Sequence, residues 1–374
     1  MPIQLLTSQL LGLLDQLFRI MNIVLGPARP KFFSQGYGDD LPAIYQRRAQ
    51  ILAGKHRKTL TSKDIEWETP KNSSDITTTI GSFVSPMADL MPAESLKANF
   101  LLVEPTVAST GSTDSRDVVV VMLPAKGEMG TGTRRKLARA LALEKGWKTV
   151  IPTAPYYGRR RPSGQRLFFI SSVRDILCQS LGMMQEAALL IEYFQKGPES
   201  PLVCVTGFSW GAAMSAGASV LVEDGSKLCV AAYVGSASPL CMADGVLTTS
   251  IDWQALRSHP AEPQFATQKR LWDELNKTQL TPPSNLTDER NTIRDTGRTT
   301  SIHNVAVVKA VSMRDDAFIR PRYAREFHEK MMTMLSSSTS VSWFTGGHVW
   351  AALQRPWYHK QLIVQSVEEL QKKQ

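Results

Sequence analysis

A single serine stands between two glycines in the stretch GFSWG (207–211). The pattern G-x-S-x-G is typical of a nucleophilic serine on a strained turn between a strand and a helix, where small flanking residues let two backbone segments approach. The context agrees, because the apolar run PLVCVT (201–206) precedes the motif and a run of small residues follows it. The simpler interpretation is that a serine stands here only because the turn between strand and helix needs a small residue. We expect an exposed, nucleophilic hydroxyl at Ser209.

A serine hydroxyl needs a base to remove its proton and an acid to orient that base, in the chain order serine, acid, histidine. His348 lies in FTGGHVWAAL, directly after the last predicted strand and at the start of a helix. Asp316 follows another predicted strand, with Asp315 as the reserve candidate for the acid. Asp316 has a second interpretation as the N-cap of the helix that begins near residue 321. The other histidines that follow the serine are expected at the surface: His259, His328 and His359.

The negative charge that develops on the attacked carbonyl oxygen requires two backbone N–H groups, which form an oxyanion hole. One is expected from Trp210, the residue after the nucleophile. The other is expected from Ala125 or Lys126 in the loop after the strand VVVVML (118–123). Pro124 is excluded because proline has no N–H.

Short β-branched runs alternate with helical patterns from residue 76 onwards, which predicts an α/β fold with a mostly parallel, doubly wound sheet. We expect an N-terminal helical extension over 1–75 and a catalytic domain over 76–374. The interval 238–300 is rich in Pro, Thr and Asn and breaks the alternation, so a lid over the site is expected there. The predicted strands are 98–104, 118–123, 148–151, 201–206, 228–235, 304–310 and 340–344, and the main predicted helices are 132–145, 172–196 and 209–223.

Residues 3–25 have the period of an amphipathic helix. Leu13 and Leu17 belong to its apolar face, whereas Asp15 and Arg19 belong to the opposite, polar face. Two charged residues near the middle argue against a helix that spans a bilayer. Three roles stay open for this segment: it lies on a membrane surface, it directs the chain to an organelle, or it packs against the domain.

The formal net charge of +9 indicates a surface that attracts anions. The sequence has no recognised nucleic-acid-binding module, so no nucleic acid partner is expected. Arg159, Arg160 and Arg161 follow the predicted strand 148–151, and Tyr156 and Tyr157 before them stiffen the segment. Because guanidinium groups match phosphate oxygens, we expect these residues to bind an anionic head group. The alternative is a solvated basic surface.

The four cysteines have irregular spacings and lie mostly in apolar stretches, which favours reduced thiols in the core over disulfides or a metal site. A reducing, intracellular compartment is therefore expected. The proposed chemistry needs only side chains and backbone, so no cofactor or metal is expected. The cysteines are Cys178, Cys204, Cys229 and Cys241.

With these segments in order, the chain resembles the α/β-hydrolase-domain-containing protein 18 family from about residue 80 to the C-terminus. The resemblance implies an α/β-hydrolase fold with Ser209, Asp316 and His348 as the catalytic triad. It also implies a mitochondrial setting and lipid deacylation, with cardiolipin as the substrate associated with the family. The stretches that carry it are FVSPMADLMPAES (83–95), APYYGRRRP (154–162), TGFSWGAAMSAGASV (206–220), GVLTTSIDW (245–253), RDDAFI (314–319) and GGHVWAAL (346–353).

The sequence departs from the family pattern near the serine. Ala212 stands where members tend to have glycine, Ala125-Lys126-Gly127 where they tend to have glycine-threonine-glycine, and Trp210 where they tend to have methionine. A tryptophan beside the nucleophile and a lysine in the loop change the expected shape and charge of the acyl pocket.

The leading hypothesis is a serine hydrolase of lipid acyl esters that works beside an anionic membrane surface. One alternative is a catalytically silent binding or scaffold protein; the complete triad argues against it and the altered oxyanion loop argues for it. A second alternative is a soluble hydrolase of small esters or peptides. The basic residues and the N-terminal helix argue against that alternative.

Overall fold

The computed structural model describes residues 13–17, 20, 30–55, 58–106, 117–236, 244–276, 305–335 and 339–374. Its strands are β1 (Glu66–Trp67), β2 (Lys71–Asn72), β3 (Ile76–Val84), β4 (Lys97–Pro105), β5 (Val118–Leu123), β6 (Lys148–Pro152), β7 (Leu202–Phe208), β8 (Leu228–Tyr233), β9 (Val307–Met313) and β10 (Thr339–Phe344). They form one sheet in the order β1-β3-β4-β6-β5-β7-β8-β9-β10, with β2 paired to β3. Strands β5 to β10 run parallel, and β1 to β4 pair antiparallel with their neighbours.

Helices follow each of the parallel strands, and another helix precedes the first strand. They are α1 (Leu41–Leu52), α2 (Gly132–Lys145), α3 (Val173–Gln195), α4 (Trp210–Leu221), α5 (Trp253–Leu256), α6 (Gln264–Asn276), α7 (Pro321–Met334), α8 (His348–Leu353) and α9 (Lys360–Lys373), with a π-helical turn at Arg355–His359. Local signals set several ends: Ser172 caps α3 by accepting the Asp175 N–H, and α2 ends at Gly146, whose φ of 71° suits glycine. Within the part of the chain that the structure describes, no helix is long and apolar enough to cross a bilayer.

The sheet is covered on both faces because alternate residues of its central strands point to opposite sides. Every residue of β5 is buried. Val119 and Leu123 join the larger core with α3 and α4, whereas Val118 and Met122 join the smaller core with α2 and α9. The doubly wound α/β sheet that the sequence predicts is confirmed.

The segment 30–75, which the sequence predicts to be part of a helical extension, contributes to the same sheet and core. Phe32, Phe33 and Ile44 are buried in the larger core. Strands β1 and β2 pair with β3 and so lengthen the antiparallel edge of the sheet.

The predicted lid over 238–300 is visible only in residues 244–276, because the rest of it lies outside the described residues. In this part, Tyr45 of α1 donates a hydrogen bond to Glu274 of α6, and the Arg270 guanidinium lies 4.1 Å from the centre of the Tyr37 ring. A parallel bridge also joins Ile251 to Phe32. These contacts attach the insertion to the N-terminal part of the core.

Candidate active site

Ser209 forms the turn between β7 and α4. Its φ of 58° and ψ of −119° lie in a region that residues with a side chain rarely adopt, and such strain costs about 1–3 kcal/mol. Its backbone N–H donates to the carbonyl oxygen of Tyr233 at the end of β8, at 3.0 Å. A strained serine at the carboxyl end of a central strand is the geometry of a nucleophile elbow.

Gly207 and Gly211 allow this turn to close. A Cβ atom on Gly207 would lie 2.3 Å from the carbonyl carbon of Gly211. A Cβ atom on Gly211 would lie 2.7 Å from the carbonyl oxygen of Pro124. Neither contact is possible without a backbone shift, so both positions require glycine. The second contact also places the start of α4 against residues 124–128, which we call the oxyanion loop.

The other two predicted residues come from the ends of β9 and β10. Asp316 lies in residues 314–320, the acid loop, and His348 begins α8 after residues 345–347, the histidine loop. The His348 Nδ1 lies 2.8 Å from Asp316 Oδ2. Asp316 Oδ1 accepts hydrogen bonds from the N–H groups of Phe318 and Ile319, at 2.8 and 2.7 Å. The buried carboxylate is thereby held in place and orients the imidazole.

Two aromatic rings flank the His348 ring. The ring of Phe208, the residue before the nucleophile, has its centre 4.8 Å from that of His348, and the ring of Phe318 lies at 4.9 Å. The structure therefore brings the imidazole to the end of β7, where Ser209 begins the turn.

The charges around His348 suit a general base that titrates above its usual range. Burial is the largest single influence and lowers the pKa of His348, but the charge and hydrogen bond of Asp316 and the charge of Asp15 together outweigh it. The pKa of the imidazole is raised above its ordinary value. Because a general base must be neutral, hydrolysis through His348 would decline as the pH falls through this raised pKa.

The two candidate acids have different contacts. Asp316 is buried and faces the imidazole, whereas Asp315 is exposed. The Asp315 Oδ2 accepts a hydrogen bond from the Gly346 N–H at 2.9 Å and so supports the histidine loop. The geometry favours Asp316 as the acid.

The Ala125 N–H, one of the two expected oxyanion donors in the oxyanion loop, has an acceptor within the loop. It donates to Glu128 Oε2 at 3.1 Å, so this donor is already used. Glu128 Oε1 also accepts a hydrogen bond from Arg134 Nε at 2.8 Å, and Arg355 Nη1 lies 3.5 Å from Glu128 Oε2. Although burial raises the pKa of Glu128, these two guanidinium groups outweigh it and lower that pKa below its ordinary value. Of the two predicted oxyanion donors in this loop, the Lys126 N–H therefore stays a prediction.

Lys126 and Trp210 contact each other. The Lys126 Nζ lies 5.0 Å from the centre of the Trp210 ring and 5.7 Å from that of Tyr157, and it donates to Gln179 Oε1 at 2.5 Å. The lysine charge is thus held against aromatic rings beside the elbow. The Trp210 N–H begins α4 and has no acceptor within that helix, so Trp210 stays a predicted oxyanion donor.

Tyr156 and Tyr157 are buried, which corrects the prediction that they bind a head group. The Tyr157 hydroxyl accepts a hydrogen bond from the Gly127 N–H at 3.2 Å and donates to the Phe168 carbonyl at 3.4 Å. The Tyr156 hydroxyl donates to Asp175 Oδ1 at 3.1 Å. Tyr157 therefore supports the oxyanion loop from behind.

Arg160 is also buried, and the prediction that it grips a phosphate is wrong. Its Nη1 and Nη2 donate to the two carboxylate oxygens of Glu186, at 2.6 and 2.7 Å. The same nitrogens donate to the carbonyl oxygens of Thr153 and Ser95, at 2.9 and 2.8 Å. A guanidinium with these bonds cannot also reach a lipid. The sequence shows a charged run here but does not show its buried partner.

The two neighbouring arginines are exposed. Arg159 Nη1 lies 3.8 Å from Glu68 Oε1, directly after β1. Strand β1 pairs with β3, which is four strand spacings, about 19 Å, from β7. Arg159 therefore points to the edge of the sheet, away from the nucleophile. Head-group binding by Arg161 stays a prediction.

Replacing Glu186 by alanine is expected to lower the free energy of unfolding by about 3–5 kcal/mol, because it leaves the buried Arg160 without a counter-charge. Denaturant unfolding followed by circular dichroism measures this change. Arg159→Ala is the control and should stay within about 0.5 kcal/mol of the wild type, since its side chain is 79% exposed. Similar small losses in both variants would contradict the structural role of the pair.

Asp15 is a residue at the site that the sequence analysis does not identify. Its fully buried carboxylate accepts hydrogen bonds from the N–H groups of Ala317, His348 and Val349, at 3.0, 2.8 and 2.8 Å. The helical period places Asp15 on a polar face, where a charged residue is usually solvated. No local signal marks a contact with residues that lie more than 300 positions away.

His328 and His359 are buried rather than at the surface as predicted. The Nε2 of His328 lies 3.0 Å from Ser312 Oγ, and the Nε2 of His359 lies 2.7 Å from Thr206 Oγ1. Burial lowers the pKa of His328 to about 4 and that of His359 well below its ordinary value. Both rings are therefore neutral polar groups of the core at neutral pH.

Comparison with known proteins agrees with this architecture. A family model described as alpha/beta hydrolase domain containing 18 matches residues 30–369. Acetyl xylan esterase 1 from Thermoanaerobacterium sp. JW/SL YS485 is 12% identical, with 93% of this chain and 98% of that chain covered and a TM-score of 0.49. An acetyl xylan esterase from Paenibacillus sp. R4 is 10% identical, with 86% and 92% covered and a TM-score of 0.51. The family match spans nearly the whole chain and confirms the α/β-hydrolase fold; the likeness to the Paenibacillus enzyme concerns that fold.

Proposed function

The chain belongs to the alpha/beta hydrolase domain containing 18 family, and we propose that it is a serine hydrolase that cleaves acyl esters. One observation carries the proposal: His348 Nδ1 and Asp316 Oδ2 pair at 2.8 Å beside a nucleophile elbow that holds Ser209 in a strained conformation. The family and the fold support a hydrolase, and this arrangement supports a serine nucleophile.

The pairing determines which imidazole nitrogen does the chemistry. With Nδ1 bound to Asp316, the Nε2 of His348 accepts the proton of Ser209 as its Oγ attacks the acyl carbonyl. The N–H groups of Trp210 and Lys126 stabilise the oxyanion. The imidazolium then gives its proton to the leaving alcohol, which leaves an acyl-enzyme. A water molecule that His348 deprotonates attacks the acyl carbon, the bond to Ser209 Oγ breaks, and His348 returns the proton to the serine as the acid leaves.

The strain at Ser209 argues against a silent scaffold protein. A fold used only for binding gains nothing from a non-glycine residue at φ 58°, since glycine at this position would relieve the strain. The buried acid paired with the histidine ring points the same way. Both features support catalysis.

We propose a lipid acyl ester as the substrate class because of the helical segment 13–17. Its polar residue Asp15 faces the acid and histidine loops, whereas Leu13 and Leu17 are 50% and 59% exposed. Ile20, 55% exposed, extends this apolar face. An amphipathic helix in a soluble protein normally turns such a face inwards, so a lipid surface is the occupant we propose. The net charge of +9 favours an anionic one. The mitochondrial location implied by the resemblance stays a prediction.

The substrate class is tested by measuring free fatty acid released from vesicles of phosphatidylcholine with and without cardiolipin, beside hydrolysis of a soluble short-chain ester. Hydrolysis of the lipids, faster on the anionic vesicles, is expected. Turnover of the soluble ester alone would support a small-ester hydrolase instead. No turnover of any substrate by the folded protein would support the silent scaffold.

The double variant Leu13→Ser and Leu17→Ser is expected to weaken binding to cardiolipin-containing vesicles by about 10-fold or more, because each leucine contributes on the order of 1–2 kcal/mol at an apolar interface. Vesicle sedimentation measures the change. Gln16→Ser, an exposed residue of the same segment, is the matched control and should bind as the wild type does. Unchanged binding together with a lower melting temperature would show that this face packs on protein.

A further inference from the structure

Asp15 connects the two loops that carry the proposed acid and base. Its Oδ2 accepts hydrogen bonds from Ala317 in the acid loop and from His348 at the start of α8, and its Oδ1 accepts one from Val349. Ala317 follows Asp316 directly in the chain. The residues on both sides of the imidazole–carboxylate pair are therefore attached to one side chain from the N-terminal segment.

The space around this carboxylate is closed. Asp15 is 0% exposed, and a Cβ atom on Gly347 would lie 2.6 Å from its Oδ2. Burial, and less strongly the charge of Asp316, raises the pKa of Asp15 above its ordinary value, although the three N–H donors act in the opposite direction. The chain thus buries an acidic side chain at the point where the acid and histidine loops meet.

We propose that Asp15 is a positioning residue, which holds the acid loop and the histidine loop in register so that His348 faces Ser209. The inference rests on the proposed function, because it assigns to the N-terminal segment a part in the same reaction. It also gives this segment a role in catalysis in addition to its proposed binding to a lipid surface.

Asp15 acts on the base through its charge as well as through its hydrogen bonds. Among the residues that the structure describes, the acidic groups around His348 are Asp316 in the acid loop, Asp15 in the N-terminal segment, and Asp315, which binds the Gly346 N–H of the histidine loop. Phe208 and Phe318, which flank the ring, carry no charge. A negative charge stabilises the imidazolium, so its removal lowers the pKa of His348 and lets the base stay neutral at lower pH.

The test compares Asp15→Asn, which keeps the size of the side chain and removes its charge, with Asp15→Ala, which removes both. Hydrolysis of a soluble ester is measured across pH, beside the melting temperature. We expect kcat to fall by up to about 100-fold with a small change in KM, since misplacing a catalytic group by about 1 Å has effects of this size. The acidic limb of the kcat/KM profile should move to lower pH in both variants. Gln16→Ala, next to Asp15 and exposed, is the control and should change neither quantity.

A second readout separates this inference from the proposed function. The titration of the His348 imidazole, followed by NMR in the folded protein, does not depend on turnover. A lower pKa of His348 in Asp15→Asn supports the positioning role even if no ester is hydrolysed. An unchanged His348 pKa and an unchanged kcat in both variants would overturn it, and so would a fall in melting temperature with the pH profile unmoved.

Discussion

Replacing Ser209 by alanine is expected to lower kcat for ester hydrolysis by about 10⁶-fold, and His348→Ala by a similar factor, because the members of a triad act as a unit. The remaining rate would come from the oxyanion donors and substrate binding. Initial rates on a soluble short-chain ester measure both losses. The fold should persist, since Ser209 is only half-buried and lies in the turn after β7, so that the loss of its hydroxyl leaves the buried strand unchanged.

The chain offers a matched control for the serine. Ser215 lies six residues further along the chain, within α4, where its buried hydroxyl donates to the Gly211 carbonyl at 2.8 Å. Ser215→Ala should retain activity within a few-fold. Full activity of Ser209→Ala in purified, folded protein would end the assignment of the nucleophile.

Replacing Asp316 by asparagine is expected to lower kcat by about 10⁴-fold, because the amide can favour the wrong imidazole tautomer and cannot stabilise the imidazolium. The hydrogen bonds from Phe318 and Ile319 to the side-chain oxygen are retained, so the acid loop should keep its shape. Rates at several pH values, with the melting temperature beside them, separate the chemical loss from a loss of folded protein.

Asp315→Asn is the companion variant. Its side-chain oxygen can still accept the Gly346 N–H, and it does not face the imidazole, so kcat should change by only a few-fold. If Asp315→Asn proves the more damaging of the two, the acid lies one residue earlier than the structure indicates.

The parts of the fold that the sequence predicts well are those whose signal is local and periodic. Helix α2 matches its predicted bounds of 132–145, since its apolar period and the glycine after it are both visible in the sequence. Strand β5 matches 118–123 because a strand buried on both faces is continuously apolar. The nucleophile elbow is also predicted well, since its five-residue pattern is local; the need for glycine at 207 arises from Gly211 within that pattern, although the need at 211 arises from the backbone of residues 123–124.

At the antiparallel edge β4 matches the predicted strand 98–104, whereas β1, β2 and β3 are missed, the first two for the opposite reason. β1 and β2 have two residues each and are exposed, so they have no alternation of apolar and polar positions to detect. Their hydrogen bonds to β3 form them. A strand that forms only through hydrogen bonds to its neighbour has no characteristic pattern in its own sequence.

The assignments that fail at the site depend on partners far away in the chain. Arg159 and Arg160 are adjacent and identical in type, yet one is exposed and the other is enclosed by Glu186. The helical period at the N-terminus predicts two faces but not which of them meets the domain. Asp15 is an example, because its carboxylate binds loops that come close to it only when the sheet has folded.

If Ser209 is an activated nucleophile, it should react with a fluorophosphonate, and this labelling requires no choice of substrate. Intact-mass measurement of the folded protein before and after treatment, followed by peptide mapping, identifies the modified residue. We expect one adduct, on Ser209, which is absent in Ser209→Ala and forms much more slowly in Asp316→Asn. An adduct on another residue, equal labelling of Ser209→Ala, or a folded wild-type protein that does not react would contradict it.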